Sequence, residues 1–105
     1  MTNRPSEIGV NNLRYKIRDY LNSLPRSSFK VNGPGSPTGE PDIDGCLDGR
    51  YVAVEVKVPG KKPKRHQGYR LKKLAAAGAF TFCAHSVEET REEIKRGLPS
   101  AVPHR

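Results

Sequence analysis

The dipeptide Asp48-Gly49 restricts the fold of this chain more than any other feature of its sequence, because it separates two stretches that are both typical of β-strands. Asp-Gly between such stretches is a strong signal for a β-hairpin closed by a tight turn. It predicts paired strands over Asp42–Leu47 and Tyr51–Val58. The second stretch is the most β-prone of the chain, and its valines predict a central strand of a sheet.

The remaining elements follow from hydrophobic spacing and from helix-breaking residues. Apolar residues recur at intervals of three and four positions from Val10 onward, which predicts a first helix over Ser6–Leu24 that Pro25 ends. A loop is predicted over Asn32–Pro41, which holds three glycines and three prolines. The other predicted elements are a strand over Phe29–Val31, a helix over Lys64–Ala77, a strand over Ala79–Ala84 and a helix over Val87–Arg96.

The resulting order of elements, α-β-β-β-α-β-α, predicts an α/β fold in which helices flank a mixed central sheet. A chain of 105 residues allows one small domain. We place this domain at residues 1–97 and expect a loosely held C-terminal tail over residues 98–105, which contain two prolines.

Charge and composition narrow the classes of function. Nineteen Lys and Arg residues against eleven Asp and Glu residues give a formal net charge of +8, which favours nucleic acid as a partner. The alternative is a basic surface that only keeps the protein soluble. No apolar run approaches the roughly 20 residues of a membrane helix, and the N-terminus lacks the apolar region of a secretory signal. Two cysteines are too few for a disulfide scaffold, so we expect reduced thiols in a cytoplasmic protein without a membrane partner.

The predicted central strand carries two charges, Glu55 and Lys57, which point to the same face because side chains alternate along a strand. A charge in a central strand is unfavourable unless it is paired or binds a metal ion. Asp42 and Glu55 lie at similar distances from the predicted turn, so the hairpin places their side chains almost opposite each other. Two carboxylates this close repel unless a cation lies between them, and such oxygen ligands suit Mg²⁺. The alternative is that Glu55 and Lys57 form only a structural ion pair.

These residues resemble a known nuclease pattern. Pro41-Asp42, followed after twelve residues by Glu55-Val56-Lys57, is similar to the Pro-Asp…(Asp/Glu)-x-Lys signature of a nuclease superfamily. The longer match adds Gly39–Gly45 and a glutamine, Gln67, that opens the helix ending in the run Leu74–Ala79. Over about residues 7–89 the chain resembles the virus-type replication-repair nuclease domain, VRR-NUC. The resemblance implies a restriction-endonuclease-like core and a DNA endonuclease that hydrolyses phosphodiester bonds with Mg²⁺ or Mn²⁺.

The resemblance also implies a role for each matching residue. Asp42 and Glu55 would bind the metal ion, with the backbone carbonyl of Val56 as a further oxygen ligand. Lys57 would orient the attacking water or help to deprotonate it, and would balance the charge that develops on the phosphate. Gln67, at the start of the second helix, would support the site.

Two further carboxylates have alternative interpretations. Glu7 matches an acidic residue on the first helix that often completes the metal ligands in the family. It is equally explained as a first-turn carboxylate that the helix dipole favours. Asp44 shares the face of Asp42 in a regular strand, so it either assists the metal ion or is a solvated carboxylate near a strand end.

Basic residues cluster directly after the predicted central strand, with seven Lys and Arg residues between positions 61 and 73. Such a cluster is typical of a surface that binds phosphates. The alternative is a charged face that is merely solvated. The residues expected to contact DNA are Lys61, Lys62, Lys64, Arg65, Arg70 and Lys73.

Cleavage of a duplex or a junction needs two cuts, so we expect a homodimer that supplies two sites. The resemblance implies structure-selective cutting, such as the resolution of four-way (Holliday) junctions, in standalone phage-type members, and therefore a location in the cytoplasm of a phage host or a bacterium. No small-molecule organic cofactor is expected. The alternatives are a nicking or flap-type nuclease with the same site, and a non-catalytic basic module that binds nucleic acid.

Overall fold

A computed structural model of the protein describes residues 5–33 and 39–103. The helices are α1 (Pro5–Asn22), α2 (Arg65–Ala76) and α3 (Val87–Gly97), followed by a short 3₁₀-helix at Pro99–Ala101. The strands are β1 (Ser27–Val31), β2 (Ile43–Leu47), β3 (Arg50–Val56) and β4 (Phe80–Ala84). The predicted order α-β-β-β-α-β-α is confirmed, and the ends of the elements differ from the predicted ends by at most two residues.

The four strands form one mixed sheet in the order β1-β2-β3-β4. β2 and β3 are antiparallel, and Leu47 pairs with Arg50, so Asp48 and Gly49 form a two-residue turn. Their φ angles of 52° and 83° are those of the tight hairpin turn for which Asp-Gly is suited. β3 and β4 are parallel, because the chain crosses back over the sheet through α2.

The core lies between one face of the sheet and the helices α1 and α3. On β3, Val52, Val54 and Val56 point into this core, where they join Ile17 of α1 and Ile94 of α3. The alternate residues of β3, Ala53 and Glu55, point to the opposite face, on the side where α2 packs against β3 and β4. β3 is therefore the central strand that its composition predicted, with its residues from Val52 to Val56 all buried.

Two segments differ from the predictions. β3 ends at Val56, so Lys57 and Val58 lie in the connection to α2 rather than in the strand, although the Lys57 N–H still donates to the Ala84 carbonyl at 3.1 Å. In the predicted tail, Ala101 is 3% exposed and packs in the core. The packing of Ala101 thus extends the ordered structure past residue 97, and the division into a domain over residues 1–97 and a loosely held tail over residues 98–105 stays a prediction.

Part of the loop predicted over Asn32–Pro41, and the side chain of Glu7, lie outside the described residues. Within the part of the chain that the structure describes, no helix is long and apolar enough to cross a membrane.

Candidate functional site

Asp42 lies immediately before β2 and Glu55 lies in β3, and the hairpin register brings them together. Ile43 pairs with Val54, so the next residues outward on the two strands are Asp42 and Glu55. Asp42 Oδ2 accepts a hydrogen bond of 2.9 Å from the backbone N–H of Val56, a group that lies beyond the last β2–β3 pair. This bond holds the Asp42 carboxylate at the end of β3, which agrees with the placement predicted from the turn.

The carboxyl group of Glu55 is buried and incompletely bonded. Glu55 is 2% exposed, and its Oε1 has no hydrogen-bond partner among the described residues. Burial, followed by the adjacent carboxyl group of Asp42, raises the pKa of Glu55 to about 8, although the charges of Lys57 and Arg14 act in the opposite direction. Buried polar atoms in proteins are nearly always hydrogen-bonded. An orphaned carboxylate oxygen beside a second carboxylate therefore indicates a place for a cation.

Asp42 and Glu55 fit a small divalent cation that keeps part of its hydration shell. Among residues 5–33 and 39–103, no three His, Cys, Asp or Glu side chains form a group that could hold a metal ion. Two carboxylates are nevertheless sufficient for Mg²⁺, which commonly binds one or two protein carboxylates and takes its other oxygens from water and phosphate. Glu7 lies in α1, but its side chain is outside the described part of the chain, so its role and that of the Val56 carbonyl stay predictions.

Lys57 directly follows β3 and lines a groove together with Arg14. Its charge lowers the pKa of Glu55, so the two side chains influence each other electrostatically. However, none of the ion pairs in the described part of the chain joins Lys57 to Glu55. The structure thus does not contain the ion pair that the non-catalytic interpretation invokes for these two residues.

The groove beside the two carboxylates has a volume of about 320 Å³ and is lined by apolar and basic residues. Its basic residues are Arg14 from α1 and Lys57, Lys61 and Lys64 from the connection between β3 and α2. Four cations lie in this groove, and such a concentration of positive charge attracts a polyanion. The structure therefore brings two of the predicted DNA-contacting residues, Lys61 and Lys64, into the same groove as Lys57.

The other predicted DNA-contacting residues do not line this groove. Lys62 lines a neighbouring depression that also contains His85 and Glu89. Three more residues lie along α2: Arg65, Arg70 and Lys73. Their contact with DNA stays a prediction, because it depends on how far a ligand extends beyond the groove.

Gln67 closes the start of α2. Its Oε1 accepts a hydrogen bond of 2.8 Å from the backbone N–H of Lys64, the residue that caps the helix. This is one half of a capping box, an arrangement that stabilises a helix N-terminus. Gln67 thereby holds the backbone of a groove residue in place, and its predicted support for the carboxylates stays a prediction.

His85 attaches the basic connection to α3. Its Nε2 lies 2.7 Å from the carbonyl oxygen of Lys61, and its Nδ1 lies 3.0 Å from Glu89 Oε1. These two contacts, first the bond to Lys61 and then the bond to Glu89, raise the pKa of His85. An imidazole between a carbonyl and a carboxylate is best bonded when both of its nitrogens donate. His85 thus positions the backbone of Lys61, and spacing alone does not predict this contact because the two residues are 24 positions apart.

Arg14 is the site residue that sequence reasoning missed. Its Nη2 lies 3.2 Å from Asp42 Oδ1, and the Asp42 side chain is only 13% exposed. Arg14 lies on α1 between Val10 and Ile17, within the apolar stripe that packs against the sheet. The sequence did contain a signal for this contact. An arginine within an apolar stripe is buried when the helix packs, so it needs an acidic partner there.

The molecule is thus an α/β domain that presents two adjacent carboxylates beside a cationic groove. Solved structures of other proteins are similar to it, and two of them are described here. A structure described as "VRR_NUC domain" has a TM-score of 0.65 and 22% sequence identity over 90% of this chain and 100% of its own. A structure described as "VRR_NUC domain protein" has a TM-score of 0.63 and 16% identity over 84% of this chain and 89% of its own. The chain therefore has the VRR-NUC fold, which confirms the fold that the resemblance implied. No protein-family model and no curated protein sequence matches the chain.

Proposed function

We propose that this protein is a DNA endonuclease that hydrolyses phosphodiester bonds with a divalent metal ion, Mg²⁺ or Mn²⁺. The observation that carries the proposal is the buried Oε1 of Glu55, which has no hydrogen-bond partner among the described residues. Glu55 lies beside Asp42, whose carboxylate contacts Arg14 of the basic groove. The fold supports the proposal, because the two similar structures described above carry the name of a nuclease domain.

Asp42 and Glu55 are the residues that would hold the metal ion, and Glu7 and the Val56 carbonyl are further ligands by resemblance. When bound, such an ion polarises a phosphate oxygen and lowers the pKa of a bound water. Lys57 is a compact charge with three N–H donors, which suits it to hold the attacking water or a phosphate oxygen. Charge on the phosphate increases as the bond breaks, and a fixed cation beside it stabilises that state.

We further propose that the substrate is branched DNA, such as a four-way junction, and that the active form is a homodimer. Paired cuts require two sites, and each chain carries one pair of motif carboxylates. The lysines of the groove would bind the DNA backbone without reading its sequence. This agrees with selection of a DNA structure rather than of a DNA sequence.

The test is cleavage of labelled duplex, single-stranded, flap and four-way DNA by the full-length chain, with Mg²⁺, with Mn²⁺ and with EDTA. We expect metal-dependent cleavage that is fastest on the four-way junction and absent in Asp42→Asn. Asp44→Asn is the matched control, since it removes a carboxylate only two positions away, within β2. Preferred cleavage of the flap, or of one strand only, would indicate the alternative nuclease types. DNA binding that ignores Mg²⁺, with no cleavage of any substrate, would contradict the enzymatic proposal and favour a non-catalytic module.

A further inference from the structure

The ion pair between Arg14 and Asp42 lies where the proposed metal ion would bind. Arg14 Nη2 is 3.2 Å from Asp42 Oδ1, and Asp42 Oδ2 already accepts the N–H of Val56. A divalent ion on Asp42 would lie close to the guanidinium, and two cations at such a distance repel. Arg14 and the ion therefore compete for the same carboxylate.

The contact between Arg14 and Asp42 lacks the geometry of a strong structural ion pair. Its Nε is buried with no hydrogen-bond partner among the described residues, and its Nη1 donates to Asn11 Oδ1 at 2.6 Å. A strong arginine–carboxylate pair usually has two parallel N–H···O bonds, whereas Arg14 contacts Asp42 through one nitrogen. A single contact is broken more readily when a cation of higher charge competes for the oxygen.

The guanidinium has an alternative position close by. Arg14 lines the basic groove together with Lys57, Lys61 and Lys64, so a small rotation of its side chain keeps it inside the site. The planar guanidinium matches the geometry of a phosphate and can donate two N–H groups to it at once. A DNA phosphate in this groove would offer Arg14 the paired contact that Asp42 does not.

We propose that Arg14 is the counter-ion of Asp42 in the metal-free protein, and that a bound divalent ion displaces its guanidinium into the groove, where it binds the DNA phosphate. This inference rests on the proposed function. Because Arg14 and the ion compete for Asp42, removing the arginine strengthens binding of the ion. Because the ion frees the guanidinium, Arg14 contributes to DNA affinity only when an ion is bound. Binding free energies are linked reciprocally in such a scheme.

The first measurement is the affinity for Mn²⁺ alone, by calorimetry on the full chain without DNA. We expect Arg14→Gln to bind Mn²⁺ about tenfold more tightly than the wild-type protein, within the usual range of coupling between two sites. Arg14→Lys keeps a competing cation and should bind Mn²⁺ with nearly wild-type affinity. The matched control is Arg18→Gln, one turn further along α1, which removes an arginine paired with Asp19 at 2.9 Å and should leave the Mn²⁺ affinity unchanged.

The second measurement is the affinity for a four-way junction, with Ca²⁺ and with EDTA. We expect Arg14→Gln to weaken junction binding about tenfold in Ca²⁺ and to leave it unchanged in EDTA, again as coupling of ordinary size. Arg14→Lys should recover only part of the binding in Ca²⁺, because an ammonium group lacks the paired donors of a guanidinium. Arg18→Gln should match the wild-type protein in both conditions.

Unchanged or weaker Mn²⁺ affinity in Arg14→Gln would overturn the inference, as would an equal loss of junction affinity with and without Ca²⁺. If Arg14→Gln does not fold, Arg14→Lys decides, since wild-type junction affinity of that variant in Ca²⁺ would also overturn it. A wild-type protein that neither binds Mn²⁺ nor cleaves DNA would overturn the proposed function and this inference with it. Normal Mn²⁺ binding and cleavage without any difference at Arg14 would overturn this inference alone.

Discussion

Asp42 and Asp44 lie two positions apart, just before and within β2, yet the environments of their carboxylates are opposite. Asp44 Oδ2 accepts a hydrogen bond of 2.7 Å from the Tyr51 hydroxyl, and its Oδ1 lies 3.0 Å from both Lys30 Nζ and Asn32 Nδ2. Burial alone would raise the pKa of Asp44, but these hydrogen bonds outweigh burial and lower it. The Asp44 side chain is 13% exposed, so it is not the solvated carboxylate that was one expectation from the sequence.

The pair Asp42 and Glu55 has the opposite character. Burial and the neighbouring carboxylate raise the pKa of Glu55, and one of its oxygens has no partner among the described residues. Burial and charge therefore do not by themselves distinguish a functional carboxylate, since Asp44 has both. The distinguishing property is an acceptor oxygen that the protein leaves unsatisfied, because an added cation can then bind there.

We call Asp44 and its three partners the Asp44 cluster, and Asp42 with Glu55 the Asp42 cluster. The largest expected difference between these two clusters is in the rate of DNA cleavage. We expect Asp42→Asn or Glu55→Gln to lower single-turnover cleavage about 10³-fold, the order of effect that loss of a charge-stabilising group has in enzymes. DNA binding should persist or tighten, because negative charge near the phosphate is removed. Asp44→Asn should cleave at nearly the wild-type rate. Equal losses in Asp42→Asn and Asp44→Asn would remove the distinction between the two clusters.

Lys57→Ala tests whether the lysine acts on the reaction or stabilises the fold. A group that assists proton transfer or charge stabilisation contributes ~10²–10⁴-fold in rate, so we expect a loss at the lower end of this range. Mn²⁺ affinity and thermal stability should change little, because lysine is not a metal ligand and is not paired with Glu55 in the described ion pairs. A lower melting temperature with an unchanged cleavage rate would instead show that Lys57 stabilises Glu55 structurally.

The contributions of Glu55 and Asp44 to the free energy of unfolding should change with pH in opposite directions. Glu55 keeps its proton in the metal-free fold up to about pH 8 but loses it near 4.5 when unfolded. The free energy of unfolding should therefore fall as pH rises between these values. Asp44, with a lowered pKa, stabilises the fold above its ordinary pKa and loses this effect only in stronger acid. Denaturant unfolding of wild-type protein and Glu55→Gln from pH 3 to 9 measures both effects.

His85 contributes a slope of the same sign as Glu55, because its pKa is raised in the fold and its stabilising contacts weaken as the proton is lost. The difference between the wild-type protein and Glu55→Gln isolates the part that belongs to Glu55. An identical slope in both proteins would show that the carboxyl group of Glu55 is not protonated in the metal-free fold. Saturating Mn²⁺ should flatten the wild-type curve, since the ion replaces the proton.

Asp44→Asn should lower the stability of the fold, whereas Asp42→Asn should lower the rate of cleavage. We expect a loss of about 1.5–3 kcal/mol in the free energy of unfolding, the usual range for hydrogen bonds to a charged group. The bonds to Tyr51 and Lys30 are those most weakened by the change. Urea denaturation measures the loss, and Lys30→Gln should reproduce part of it. Full stability in Asp44→Asn would mean that its three partners contribute nothing net.

The smallest effect concerns the cations of the groove. Lys61→Gln with Lys64→Gln should weaken DNA binding for all sequences alike, and each lost phosphate contact should reduce the slope of log affinity against log salt by about 0.9. The matched control is Lys16→Gln with Lys95→Gln, which removes two exposed charges that do not line the groove. An unchanged slope in the groove variant would show that this side of the protein faces away from the DNA.

The sequence by itself determined the hairpin and the meeting of its two carboxylates. Asp48-Gly49 allows a two-residue turn, this turn sets the register, and the register places Asp42 beside Glu55. The helices and strands were predictable for the same reason, since breakers, caps and hydrophobic spacing act over a few residues. Ser86 is an example, because it caps α3 by accepting the N–H of Glu89 at 2.9 Å.

Only the tertiary structure decided which charges are satisfied. Arg14 meets Asp42 because α1 packs against the sheet. Lys61 contacts His85 because the segment between β4 and α3 lies next to the connection between β3 and α2. Oε1 of Glu55 has no hydrogen-bond partner because no donor among the described residues reaches it. Burial and pairing of charges depend on contacts between distant segments, and local spacing carries no information about the surroundings that those contacts create.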